Sequence, residues 1–137
     1  MPVQFNLKFW SKVWSTYSLY DPSYSNRESF GFFVDVGNGW TTCIPSILAL
    51  LALTLDLPGI SARTVGVACM LKYYQEFYGT VIYFLSYIMN GRYKGKEFVE
   101  VALFVGLTNG LWFFFPLLGM YTSVELINSD SFKIFRS

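Results

Sequence analysis

The chain of 137 residues contains no histidine. That absence excludes Ser-His-Asp and Cys-His catalysis, histidine-ligated metal or haem, and an imidazole proton shuttle. Cysteine is scarce: Cys43 and Cys69 can form neither a disulfide framework nor a four-ligand zinc site. No metal and no cofactor is implied. Charge is scarce as well, at 14% of residues, with ten Lys and Arg against nine Asp and Glu. A net charge of +1 gives no basic stripe for nucleic acid, so none is expected as a partner. The opening residues MPVQFNLKFW hold no apolar core followed by small residues, so no secretory signal peptide is visible. There is no internal repeat and no low-complexity tract. Any acid-base chemistry falls to Asp, Glu, Tyr, Lys or Cys.

What is abundant is apolar surface: 53% of residues are hydrophobic and 20% aromatic, with a mean hydropathy of +0.39. This is richer than a soluble domain needs, in a chain of one domain's length. About 20 apolar residues cross a hydrocarbon core of about 30 Å. Residues 36–55 give 20 positions without Asp, Glu, Lys or Arg, and residues 101–124 give 24. A third apolar and aromatic stretch, 64–89, carries Lys72 and Glu76 and so scores lower by hydropathy.

Asp56, Pro58, Gly59 and Ser61 read as one turn, and Asn90 to Lys96 as a second. Ahead of these, Phe5, Phe9, Trp10, Val13, Trp14 and Tyr17 recur near helical spacing with Lys8 and Lys12 among them, the pattern of an interfacial helix that Asp21-Pro22 ends. The expectation is an all-α membrane protein forming one domain over 1–137. It has an interfacial segment and loop at 1–29, transmembrane helices at 33–55, 64–89 and 99–123, and a tail at 124–137.

Ionisable and amide groups at membrane depth are costly and mark functional positions. Asp35 shares a helical face with Asn38 and Thr42. Two readings fit it: a carboxylate facing a cavity with amide and hydroxyl support, or a helix N-terminal carboxylate at the interface. Glu76 lies on one stripe with Tyr73, Thr80, Tyr83 and Tyr87, with Lys72 at i−4. It is either half of a neutralising ion pair or a proton- or amine-accepting carboxylate tuned by Lys72 and burial. Asn109 needs a partner on another helix or a ligand. Trp112, mid-span, presents its ring to a ligand cation or fills a packing gap. Phe113, Phe114 and Phe115 read as packing and lipid contact, and Gly106 with Gly110 as a GxxxG pair that marks close helix approach.

Trp14, Tyr17, Asp21 and Tyr24, then Tyr78-Gly79 with Tyr83-Phe84, then Asn109, Leu111, Trp112 and Pro116 form three ordered motifs, and that order resembles the emopamil-binding protein family, the sterol delta-8,7 isomerases of the EXPERA-domain superfamily. Trp14, Tyr17, Asp21 and Tyr24 resemble its W-x-x-Y-x-x-x-D-x-x-Y loop, and Asp35 falls where the isomerases carry an intramembrane Glu. Tyr78-Gly79 with Tyr83-Phe84 resembles Y-G-x-x-x-Y-F, and Asn109 with Leu111, Trp112 and Pro116 resembles N-x-L-W-x-x-x-P. The likeness runs over about residues 10–120.

The resemblance implies a helical bundle whose cavity binds a sterol, protonates a ring double bond, stabilises the carbocation and removes a neighbouring proton. Asp35, with Glu76 as a second candidate, takes the acid-base place, Asn109 a supporting place and Trp112 that of the cation-stabilising ring. Asn38, Thr42, Tyr78, Tyr83 and Thr108 are expected to contact the ligand. Cationic amines would bind by mimicking the carbocation.

The sequence departs from the family in three ways. The isomerases have two further helices before the loop, the second bearing a His and a Glu, whereas this sequence starts just ahead of the loop. Asp stands at 35 in place of Glu, and Glu stands at 76 where the family has Gln.

The resemblance therefore implies a sterol or terpenoid double-bond isomerase-like membrane protein. The alternatives are a non-catalytic sterol or cationic-amphiphile binder like the sigma-two receptor, and a subunit of a membrane complex. The lipid bilayer is an expected partner, and three helices alone enclose a sterol poorly, so a second copy or another membrane subunit is expected too. The resemblance places the chain in the endoplasmic reticulum membrane as a multi-pass protein with the loop side in the lumen. The positive-inside count (Lys8, Lys12, Arg27, Arg92, Lys94 and Lys96 against Arg63, Lys133 and Arg136) places that same side in the cytoplasm.

Overall fold

The computed structural model describes residues 6–26, 29–55 and 59–135. Phe5, Arg27, Arg136 and the Asp56-to-Pro58 part of the first expected turn lie outside them. Every regular element among the described residues is helical.

Helix α1 spans Leu7–Tyr20 and starts where the Asn6 side chain accepts from the Phe9 N–H at 3.2 Å. It stops where Asp21 turns extended, with φ at −128°, and Pro22 offers no N–H to continue. Asp21 then caps the single turn α2, Pro22–Ser25, with proline at the helix start where a missing donor costs nothing. Helix α3 covers Ser29–Leu55 and contains Pro45. Helix α4, Ala62–Met89, begins at Ser61, whose hydroxyl oxygen accepts from the Thr64 N–H at 3.1 Å. It ends at Asn90, where Gly91 turns the chain with φ at +61°.

Helix α5 runs unbroken over Phe98–Ser129. It contains a π-helical stretch, Ala102–Leu107, between Phe98–Val101 and Thr108–Ser129. Asp130 closes it in the left-handed region, with φ at 47°. The Asp130 carboxylate accepts from the Arg63 N–H at 2.8 Å, so the end of α5 caps the start of α4. A short 3₁₀ turn, Phe132–Phe135, follows.

Two segments, Phe32–Leu55 and Phe98–Ser129, are long and apolar enough to cross a membrane. Only 6% and 11% of their most apolar windows are buried, whereas the core helix of a soluble protein is mostly buried. Helix α4 is as long but carries Arg63, Lys72 and Glu76 and is not among the segments apolar enough to cross.

Helix α4 lies between α3 and α5 and packs most extensively on α5. Two apolar cores hold this arrangement. At one end Ala52, Ala62, Val65, Cys69 and Leu126 cluster; at the other Tyr83, Tyr87 and Val105 pack with Tyr20, Phe84 and Val101.

The close approach of α4 and α5 depends on Gly66 and Gly119. A Cβ at 66 would lie 2.9 Å from the Ser123 carbonyl oxygen, and one at 119 would lie 2.5 Å from the Tyr73 ring. The GxxxG expectation is corrected here. Around Gly110 nothing lies within 4 Å, and at Gly106 the nearest atom is the Val101 carbonyl oxygen at 3.9 Å, so neither lies at a close crossing.

Candidate functional site

Between the two cores lies a cavity of about 610 Å³. Helix α1 lines it with Trp10, Val13, Trp14 and Tyr17, α3 with Val34, Asp35, Asn38, Gly39 and Thr42. Helix α4 contributes Glu76, Gly79, Thr80 and Tyr83, and α5 contributes Phe104, Thr108, Asn109, Leu111 and Trp112. The aromatic face of α1, expected at a membrane interface, lines this cavity. The volume is within the range of small-molecule sites, about 300–1,000 Å³, and the lining is mostly apolar with a few polar groups, as such sites are.

The structure brings Asp35, Glu76, Asn109 and Trp112 to this one cavity, together with Asn38, Thr42, Tyr83 and Thr108. Tyr78 is the exception. It is exposed and lines a separate groove of about 280 Å³ on the other side of the α3–α4 pair, because positions 78 and 79 point in directions about 100° apart on a helix.

The support expected around Asp35 is also different. Asn38 Oδ1 accepts from Gln75 Nε2 at 3.1 Å, and the Thr42 hydroxyl donates to the Asn38 carbonyl at 2.5 Å. Asp35 has no hydrogen bond or ion pair among the described residues and stands at the cavity's exposed side. Gln75, missed in the sequence, joins α3 to α4: its amide also donates to Thr41 at 2.6 Å.

Glu76 is 5% exposed and ion-paired with Lys72 at 3.5 Å, while the Lys72 ammonium sits 4.0 Å above the Tyr73 ring centroid. The geometry gives the intrahelical ion pair of the first reading and places the Glu76 carboxylate at the edge of the cavity. Thr80 bridges α4 to α5, its hydroxyl donating to the carbonyls of Glu76 at 2.9 Å and Trp112 at 3.2 Å. Trp112 is 57% exposed, at the cavity rim.

The sequence reading passed over a buried polar network at the α1 end. Asn109 Nδ2 donates to the Tyr17 hydroxyl at 2.9 Å and to the Val105 carbonyl at 2.8 Å. The Tyr17 and Tyr83 hydroxyls are 2.7 Å apart, and Tyr83 donates to Asp21 Oδ2 at 2.6 Å. Asp21 is wholly buried, its Oδ1 accepting from the Ser23 N–H at 3.0 Å and hydroxyl at 2.6 Å, with Arg92 at 3.8 Å. Lys96 Nζ donates to the carbonyls of Leu19 and Tyr20, fastening the end of α1 to the α4–α5 loop. Burial lowers the pKa of Lys96, and the nearby Asp21 works against that shift. Tyr17 and Asp21 stand together in the quoted loop motif, but nothing in that spacing names Tyr83, Asn109 or Arg92 as their partners.

Among the described residues no group of three or more His, Cys, Asp or Glu is placed to hold a metal. No family model matches the chain, and no curated protein or solved structure matches it.

Proposed function

We propose that the chain is a membrane protein of the endoplasmic reticulum that binds a sterol or terpenoid in the α1–α3–α4–α5 cavity and moves a ring double bond by proton addition and loss. The observation that carries this reading is that Asp35, Glu76, Asn109 and Trp112, from three separate helices, line one cavity with the aromatic face of α1.

Asp35 is the acid. Its carboxyl proton goes to one alkene carbon, the π electrons form that C–H bond, and a tertiary cation remains on the other carbon. The Trp112 ring face stabilises this cation. Loss of a proton from the next carbon to the Asp35 carboxylate returns electrons to a new double bond and restores the acid, so atoms and charge balance.

A second reading is favoured by the Lys72–Glu76 pair, which neutralises one cavity carboxylate and leaves Asp35 to hold a ligand's ammonium group. In that case the protein stores or senses a cationic amphiphile without converting it.

One experiment separates the two. The purified chain in lipid nanodiscs is incubated with cholest-8-en-3β-ol and the double-bond position followed by mass spectrometry, beside binding of a radiolabelled tertiary amine. Conversion that disappears in Asp35→Asn supports the isomerase. Amine binding without conversion supports the second reading, and neither conversion nor binding overturns both.

A further inference from the structure

The buried network has one direction of donation, fixed by counting protons. Asn109 Nδ2 faces the Val105 carbonyl, which only accepts, so it is the amide nitrogen that meets the Tyr17 oxygen. Tyr83 gives its single proton to Asp21. The 2.7 Å contact between the tyrosines therefore has Tyr17 as donor and Tyr83 as acceptor. Donation runs Asn109, Tyr17, Tyr83, Asp21.

Two consequences follow at the cavity. The Tyr17 proton points away from the ligand space, and Asn109 turns its Oδ1 away from these partners, with nothing bonded to it among the described residues. The neighbouring threonines add no donor. The Thr80 hydroxyl proton goes to backbone carbonyls, and that of Thr108 to the Phe104 carbonyl. Asn38, on α3, keeps its amide protons on a different wall.

We propose that Asp21 is a positioning residue that, through Tyr83 and Tyr17, presets this end of the cavity as a hydrogen-bond acceptor, so that the site selects ligands bringing a hydroxyl or protonated amine over the matching ketone. Asp21 can do this because it is wholly buried, Tyr83 is 3% and Tyr17 6% exposed, and a dry chain of this kind holds its orientation. The inference rests on the proposed sterol-type ligand.

Asp21→Asn makes a specific change. The Ser23 N–H can only donate, so the new amide oxygen takes the Oδ1 place and its NH₂ faces Tyr83. Tyr83 then donates to Tyr17, and the Tyr17 oxygen accepts from both Tyr83 and Asn109. Its own proton no longer goes to Tyr83 and becomes available to a ketone oxygen in the cavity that Tyr17 lines.

The test compares binding of cholest-8-en-3β-ol and cholest-8-en-3-one to the full chain in nanodiscs. The wild type is expected to prefer the alcohol by about tenfold. Tyr83→Phe, which removes the acceptor of the Tyr17 proton, brings the ratio close to one, and Asp21→Asn brings it to one or below. An equal alcohol preference in all three proteins overturns the proposal, as does a wild type that favours the ketone.

A ligand-free readout runs beside it: the ¹⁵N-labelled side-chain amide of Asn109, assigned through Asn109→Asp. Its resonances are expected to shift in Tyr83→Phe, and unchanged resonances overturn the proposal. If neither sterol binds, the sterol reading fails while the Asn109 amide, bonded to the Tyr17 oxygen, still reports whether the Tyr17 proton is directed by Tyr83.

Discussion

Asp35 and Glu76 show how differently two carboxylates on one cavity are held. Asp35 has no ion-pair partner among the described residues, whereas Glu76 is locked to Lys72 at 3.5 Å. Asp35→Asn is therefore expected to abolish sterol conversion and weaken tertiary-amine binding at least tenfold while leaving the thermal midpoint near its original value, measured by radioligand competition and calorimetry. Lys72→Met leaves a carboxylate buried alone and is expected to destabilise the bundle by about 3 kcal/mol. Adding Glu76→Gln restores most of that loss, read as a shift in the unfolding midpoint. These carboxylates, with Asn109 and Trp112, were legible as polar or out-of-place residues in apolar runs. The Asp21 network was not, because its contacts join residues 62, 66 and 92 positions apart, and no local spacing announces such pairs. Tyr78 misled because its motif says which residues recur and not which side of the helix faces the cavity.

At the level of the helices, most ends could be read from their punctuation. Asp21-Pro22 stops α1, and the Asn90-Gly91 turn stops α4. The end of α5 was less legible, since it continues past the expected position 123 to Ser129 and is closed by Asp130 in a left-handed turn stabilised from α4. The helix contacts were less legible again. A GxxxG spacing pointed to Gly106 and Gly110, yet the tight crossing uses Gly66 and Gly119, which lie on different helices and share no sequence pattern. The difference is measurable by chemical denaturation. Gly119→Ala drives a methyl into the Tyr73 ring and is expected to cost about 1–3 kcal/mol. Gly110→Ala meets nothing and is expected to be neutral or to stabilise by up to about 1 kcal/mol through helix propensity. The π-helical stretch Ala102–Leu107 directly precedes Thr108 and Asn109, so the widened turn sets which α5 residues face the cavity.

The whole molecule combines two long, apolar and little-buried helices with a charged central one. Alkaline carbonate extraction is expected to leave the chain in the membrane pellet, and its release into the supernatant would contradict integral insertion. Helix α5, at 32 residues, is about 48 Å long, more than a hydrocarbon core of about 30 Å requires. The bundle is fastened at two ends, by the Ala52–Leu126 core and by the Tyr83–Val105 core, and is hollow between them. A molecule lodged in that hollow supplies contacts that the chain itself lacks, worth about 2.7 kcal/mol of added stability at a hundredfold excess over its dissociation constant. Proteolysis in cells tracks the population of the less stable, open form of a protein. The half-life in a pulse-chase is expected to lengthen when a molecule that fills the hollow is supplied and to shorten when it is withdrawn, so that abundance follows occupancy.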